Sequence, residues 1–241
     1  MIGRARRQWS VRDAAVREAR RCRGELAAIR SAGPSISPTA ALGWSVAAVL
    51  WGNGLVAVGR RVGHDQWITL VGVPLFGAAG WWWLQRRGCT RRAIGLRWPR
   101  PDLPRPLVIL TGAAAVVAGV LTAAGLATAG QDRRGLRTVR TVVGTAFGEE
   151  LVHRGVLLTV WAMSGASTGT TVAANAVVFG LWHATGADHA GEVAGPALAA
   201  LTLVWLRLRS RSILVPAVFH AATNLGGVFS AREAFPAGPT G

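Results

Sequence analysis

The chain has 241 residues, of which 51% are hydrophobic, 31 are glycine and 11 are tryptophan, while 16% are charged and the formal net charge is +16. Charge-free runs of about 20 residues, the length that crosses ~30 Å of hydrocarbon, exclude an ordinary soluble domain. The basic excess does not point to nucleic acid, because the arginines lie before Pro34, from Arg86 to Arg105 and from Arg207 to Arg211, flanking those runs as a positive-inside bias requires.

The first 33 residues are too charged, and lack the apolar core, to be a cleavable signal peptide. They read as a basic cytoplasmic tail, in which residues 8–30 are either solvated or an amphipathic helix on an anionic surface, with the solvated form favoured. Residues 34–241 then form one membrane-embedded domain. Its spans are expected at 40–59, 67–84, 106–130, 141–163, 170–187, 193–206 and 212–230. The span at 193–206 is short enough to be tilted, distorted or re-entrant. Trp67 and the triplet Trp81, Trp82 and Trp83 bracket the second span, where interfacial aromatics belong. Gly88 to Pro106 forms the one substantial loop. Cys22 and Cys89 both fall in arginine-rich segments assigned to the cytoplasmic face, which argues against a disulfide. The expected fold class is all-α, a polytopic membrane helical bundle of about seven transmembrane helices, multi-pass in a bacterial inner membrane with membrane lipid around it.

Glu149, Glu150 and Arg154 interrupt the fourth span, and His183 and His220 sit in later ones. An ionised group at mid-bilayer costs about 2.5–3.5 kcal/mol on insertion scales, so such residues mark function. On an α-helix, residues four apart share a face, which aligns Glu149 with His153 and Glu150 with Arg154. Glu150 and Arg154 then read as a buried ion pair. Glu149 has no guanidinium on its face and is the better general base. Counting ~1.5 Å per residue along antiparallel spans brings Glu149 and His183 to similar depth in one half of the bundle. His220 falls near mid-bilayer, with Asn224 one turn closer to the Glu149 level. His64 and His189 belong to loops, and Asn53 and Asn175 read as interhelical hydrogen-bonding residues.

Written out, these residues form Glu149-Glu150-x-x-x-Arg154, Phe179-x-x-x-His183 and His220-x-x-x-Asn224, in that order on separate spans. The set resembles the motifs of the CAAX-protease and bacteriocin-processing family of intramembrane endopeptidases, once called Abi. The likeness covers about residues 141–230, and Ile94-Gly95-Leu96-Arg97 is similar to family members too. It implies hydrolysis of a peptide bond in a membrane-associated, prenylated or precursor substrate by an activated water. By position, Glu149 would be the base and His183 its partner. His220 and Asn224 would bind water or the oxyanion, with Glu150 and Arg154 in support. The family has been described both as metallopeptidase and as glutamate-dependent, and zinc held by Glu149, His183 and His220 remains open beside the favoured metal-free scheme. His153, where many relatives have an aromatic, would tune Glu149, add a metal ligand or simply pack.

Two alternatives stay open: a proton-coupled transporter using Glu149, His183 and His220 as a relay, and a non-catalytic membrane scaffold or immunity protein. Orientation stays open as well. A cytoplasmic amino terminus places the Arg86–Arg105 and Arg207–Arg211 segments inside, whereas Arg133, Arg134, Arg137 and Arg140 argue the opposite way.

Overall fold

The computed structural model describes residues 11–63, 65–100, 103, 111–114, 120, 143–186 and 190–234. Most of the expected span at 106–130, the arginines from Arg133 to Arg140, His64 and His189 lie outside the described residues.

All regular structure among the described residues is helical. Helix α1 covers Val11–Arg30, α2 Pro38–Val62, α3 Asp65–Arg86 and the short α4 Arg91–Ile94. Helix α5 runs over residues 143–163, α6 over Thr168–Trp182, α7 over Gly191–Ser210 and α8 over Leu214–Ala234. Local chemistry sets several of these ends. Ser37 accepts from the amide of Ala40, and Pro38 occupies the first turn, where its missing N–H costs nothing. Gly63, at φ +69°, closes α2 in the left-handed region. Ser167 caps α6 in the same manner as Ser37 caps α2.

Helices α2 and α7 are long and apolar enough to cross a membrane. Large apolar side chains such as Leu42, Leu50, Val58, Leu198 and Leu201 are exposed along them, as lipid-facing surfaces require. The helix extends four residues beyond the expected span at 193–206. Helix α7 continues through Arg207 to Ser210, and Arg207 is fully buried with its Nη2 donating to the carbonyl of Ala93 at 2.7 Å. A buried guanidinium bonded to protein backbone does not mark a helix end.

The amino-terminal segment also departs from the solvated reading. Cys22, Leu26 and Ile29 lie on one face of α1 and pack against Leu158 and Ala162 of α5 and Val204 and Leu208 of α7. Arg30 adds two bonds, to the carbonyls of Ala162 at 3.0 Å and Ala166 at 2.6 Å. Helix α1 is therefore a docked part of the bundle. Both cysteines are free thiols.

Helix α5 is the axis of the molecule. From Glu150 to Val160 every residue is buried, and the helix contacts α2, α3, α4, α6 and α7. A helix buried all round belongs at a bundle centre. Its middle, Leu151–Leu157, is a π-helix, whose wider turn is closed by the Leu158 amide donating to the His153 carbonyl five residues back. Helices α6 and α7 make the most extensive helix pairing among the described residues. It depends on Gly180. A Cβ there would stand 2.7 Å from the carbonyl oxygen of Val193 and 2.9 Å from Cβ of Ala197, whereas one at Gly195 would meet nothing within 4 Å.

Gly180→Ala should therefore destabilise the protein by about 1–3 kcal/mol through forced separation of α6 and α7. Gly195→Ala should be neutral or gain up to ~1 kcal/mol of helix propensity. Thermal unfolding in detergent checks both, with Gly180→Ala melting at the lower temperature.

Candidate active site

The fully buried stretch of α5 carries Glu150, His153 and Arg154, all at 0% exposure. Arg154 Nη1 donates to Glu150 Oε1 at 3.0 Å, an ion pair between residues four apart. The same carboxylate oxygen accepts from Nδ1 of His220, on α8, at 3.0 Å. The opposite nitrogen of that imidazole, Nε2, stands 3.6 Å from Glu149 Oε2. One imidazole thus spans the two adjacent carboxylates. The shorter contact fixes its ring. The longer one exceeds a direct hydrogen bond.

Phe179 of α6 holds the centre together from the other side. Its ring lies 4.3 Å from the guanidinium carbon of Arg154, and its centroid is 4.8 Å from His153, 4.9 Å from His183 and 5.6 Å from His220. A cation over an aromatic face, removed from water, gains about 2 kcal/mol. This compensates Arg154 beyond its carboxylate, since its Nε and Nη2 find no hydrogen-bond partner. Sequence reading quoted Phe179 within a motif but gave it no task. Its position four residues before His183, one turn away on the same face, was the available signal.

His183 caps the end of α6, where its Nδ1 lies 2.8 Å from the Phe179 carbonyl. A carbonyl only accepts, so Nδ1 carries the proton and Nε2 presents its lone pair. His183, His220, Thr223 and Asn224 line one cavity of about 310 Å³ between α6, α7 and α8, with apolar walls from Phe219 and Leu203. Asn53 of α2 braces the turn that follows His183. Its Nδ2 donates to Leu181 O at 2.9 Å, and its Oδ1 accepts from both the amide and the hydroxyl of Thr185.

The His153 ring, inside the π-turn, stands edge-on to Phe179 and to Trp182, at 4.8 and 5.0 Å. Neither ring nitrogen has a hydrogen-bond partner. The carbonyl of His153 accepts from Asn175 Nδ2 at 2.6 Å, which ties α6 to the turn. The donors Glu149, His183 and His220 do not gather as a metal-ligating group, nor do any three His, Cys, Asp or Glu side chains among the described residues. This arrangement does not fit zinc.

An all-helical bundle with apolar spans and a carboxylate, guanidinium and imidazole centre buried between them is the class that fold and site define. Residues 134–226, which contain every one of the motif residues, match the family model described as Type II CAAX prenyl endopeptidase Rce1-like. Over this segment the chain is similar to the CAAX-protease family. No curated protein and no solved structure compared with the chain matches it.

Two substitutions separate the roles within the centre. Glu150→Gln leaves Arg154 buried without its counter-charge and should cost about 3–5 kcal/mol, read as a loss of folded protein on thermal or denaturant unfolding in detergent. His153→Phe retains the aromatic packing and removes two unbonded nitrogens. It should leave stability unchanged or raise it by about 1–3 kcal/mol. A sharp fall in stability for that variant would mean that the ring nitrogens have a partner the packing does not reveal.

Proposed function

We propose that the protein is an intramembrane endopeptidase that hydrolyses a peptide bond of a membrane-associated, prenylated or precursor polypeptide by an activated water, and that it crosses the membrane several times. The observation that carries the reading is the single imidazole of His220 set between Glu150, at 3.0 Å, and Glu149, at 3.6 Å, on the wall of a cavity shared with His183 and Asn224. The likeness of residues 134–226 to the CAAX-protease family supports the same chemistry.

In this mechanism Glu149 takes a proton from the water as it attacks the scissile carbonyl, and returns it to the leaving amine as the C–N bond breaks. His220, oriented by Glu150 through Nδ1, keeps its other nitrogen beside Glu149, where proton and water exchange. The lone pair of His183 Nε2 offers the water a second acceptor. The amide of Asn224 is the uncharged donor available for the oxyanion that develops on the scissile carbonyl. Glu150 and Arg154 touch no reacting atom in this scheme. They hold His220 in place and balance its surroundings.

Glu149→Gln preserves shape and removes the base. Against a panel of fluorogenic prenylated and unprenylated peptides it should lower turnover at least about 10²-fold, with an unchanged melting temperature. Turnover within tenfold of wild type would refute Glu149 as base. The same preparation distinguishes the alternatives. Cleavage that survives exhaustive chelation fits the Glu/His scheme, whereas joint loss of activity and bound zinc in His183→Ala and His220→Ala would replace it with a metal-dependent one. Proton flux into liposomes that depends on Glu149, without cleavage, would identify a transporter.

A further inference from the structure

A second polar cluster lies at the opposite end of α7 from the cavity residue Pro196, and the proposed chemistry leaves it unused. A cavity of about 640 Å³ opens between α1, the Gly95–Arg100 segment and the carboxyl end of α7. Four guanidinium groups, of Arg21, Arg100, Arg209 and Arg211, line it against one carboxylate, that of Glu25. Two acids among the described residues nearby are already committed. Glu25 holds Arg211 at 2.6 Å and Arg97 at 3.6 Å, and Glu18 holds Arg209 at 2.9 Å while also accepting from Trp205 Nε1 at 2.8 Å. Two of the lining arginines are thus fixed as walls, and positive charge remains in excess. Burial lowers the proton affinity of Arg97; Glu25 opposes the shift and the neighbouring Arg211, Arg92 and Arg100 add to it, which registers that crowding.

The surroundings place this cavity at a membrane–water boundary. It adjoins the end of an apolar span. Trp98, 84% exposed, sits between Arg97 and Arg100. At the same end of the bundle Arg86, Arg87 and Arg91 lie over the rings of Trp82, Trp83 and Trp81 at 5.1, 4.5 and 5.7 Å. Tryptophan and arginine in such numbers are the composition of a headgroup layer. Guanidinium groups favour phosphate oxygens through paired, charge-assisted bonds, and the volume exceeds that of a lone inorganic anion.

We propose that this cavity binds a phosphate ester, the headgroup of an anionic phospholipid, clamped by Arg21, Arg100, Arg209 and Arg211. Occupation relieves the mutual repulsion of the arginines and ties α1 to α7. The site is separate from the peptidase reading and its test does not require cleavage.

The test uses the full chain in a neutral detergent, titrated with phosphatidylglycerol, phosphatidylcholine or inorganic phosphate, and read by native mass spectrometry and by melting temperature. Phosphatidylglycerol should bind and raise the melting temperature, phosphatidylcholine should not, and Arg21→Gln/Arg100→Gln should weaken phosphatidylglycerol binding at least about tenfold. Arg20→Gln/Arg23→Gln removes the same charge from α1 residues that do not line the cavity, and should keep wild-type affinity. Arg21→Gln alone, at an exposed position, gives the same reading with a smaller loss if the double variant is unstable. Equal weakening by both pairs would show diffuse attraction and overturn the site. Equal binding of the two lipids would do the same, and inorganic phosphate that displaces phosphatidylglycerol at equal concentration would overturn the lipid source in favour of a soluble phosphate ester.

Discussion

Glu150 accepts from Arg154 on its own helix and from His220 on α8, in a stretch where every neighbour is buried. Taking such charges out of water costs several kcal/mol each, and their attraction returns that only when the geometry is close and the remaining bonds are made. The arrangement of α5, α6 and α8 follows from that requirement. Phe179 covers the guanidinium from α6, Glu150 reaches the imidazole of α8, and both depend on α5 keeping its polar side chains at one level. Helix α5 is consequently the element whose local geometry matters most, and its π-turn lies there.

The turn explains which parts of the centre were legible in the sequence. Glu150 and Arg154 fall where a 3.6-residue period puts them, because the contact is between side chains long enough to absorb a changed turn. The wider backbone turn that begins after Glu150 has no such signature. No residue type announces a π-turn, and Gly155 or the carbonyl bond from Asn175 would have been read only with partners in view. The approach of His220 to Glu149 has a similar origin. Depth along a helix orders residues in one dimension, whereas lateral neighbours depend on how α8 sits against α5.

Elsewhere the hydropathy pattern located the cores of α2, α3, α5, α6 and α8 to within a few residues. It says less about arginine-bearing stretches. Arg207 is interior because Ala93 supplies a carbonyl, and α1 is packed because Cys22, Leu26 and Ile29 repeat at helical spacing amid its charges. In both cases a few apolar or backbone partners outweigh a charged composition. That balance cannot be read from a window average, since the deciding groups are more than a hundred residues away in the chain.

That separation has a consequence for biosynthesis. Helix α1 is the first described element to leave the ribosome, yet its partners are Ala162 and Ala166, 132 and 136 residues later, and Trp205 and Arg209 beyond them. Contacts so distant in sequence cannot form until their second half exists. The nascent chain must therefore carry α1 undocked, with Leu26 and Ile29 uncovered, while the helices through α7 are made and inserted. The first described helix is among the last to find its place, and its docking marks a bundle whose helices through α7 are already home.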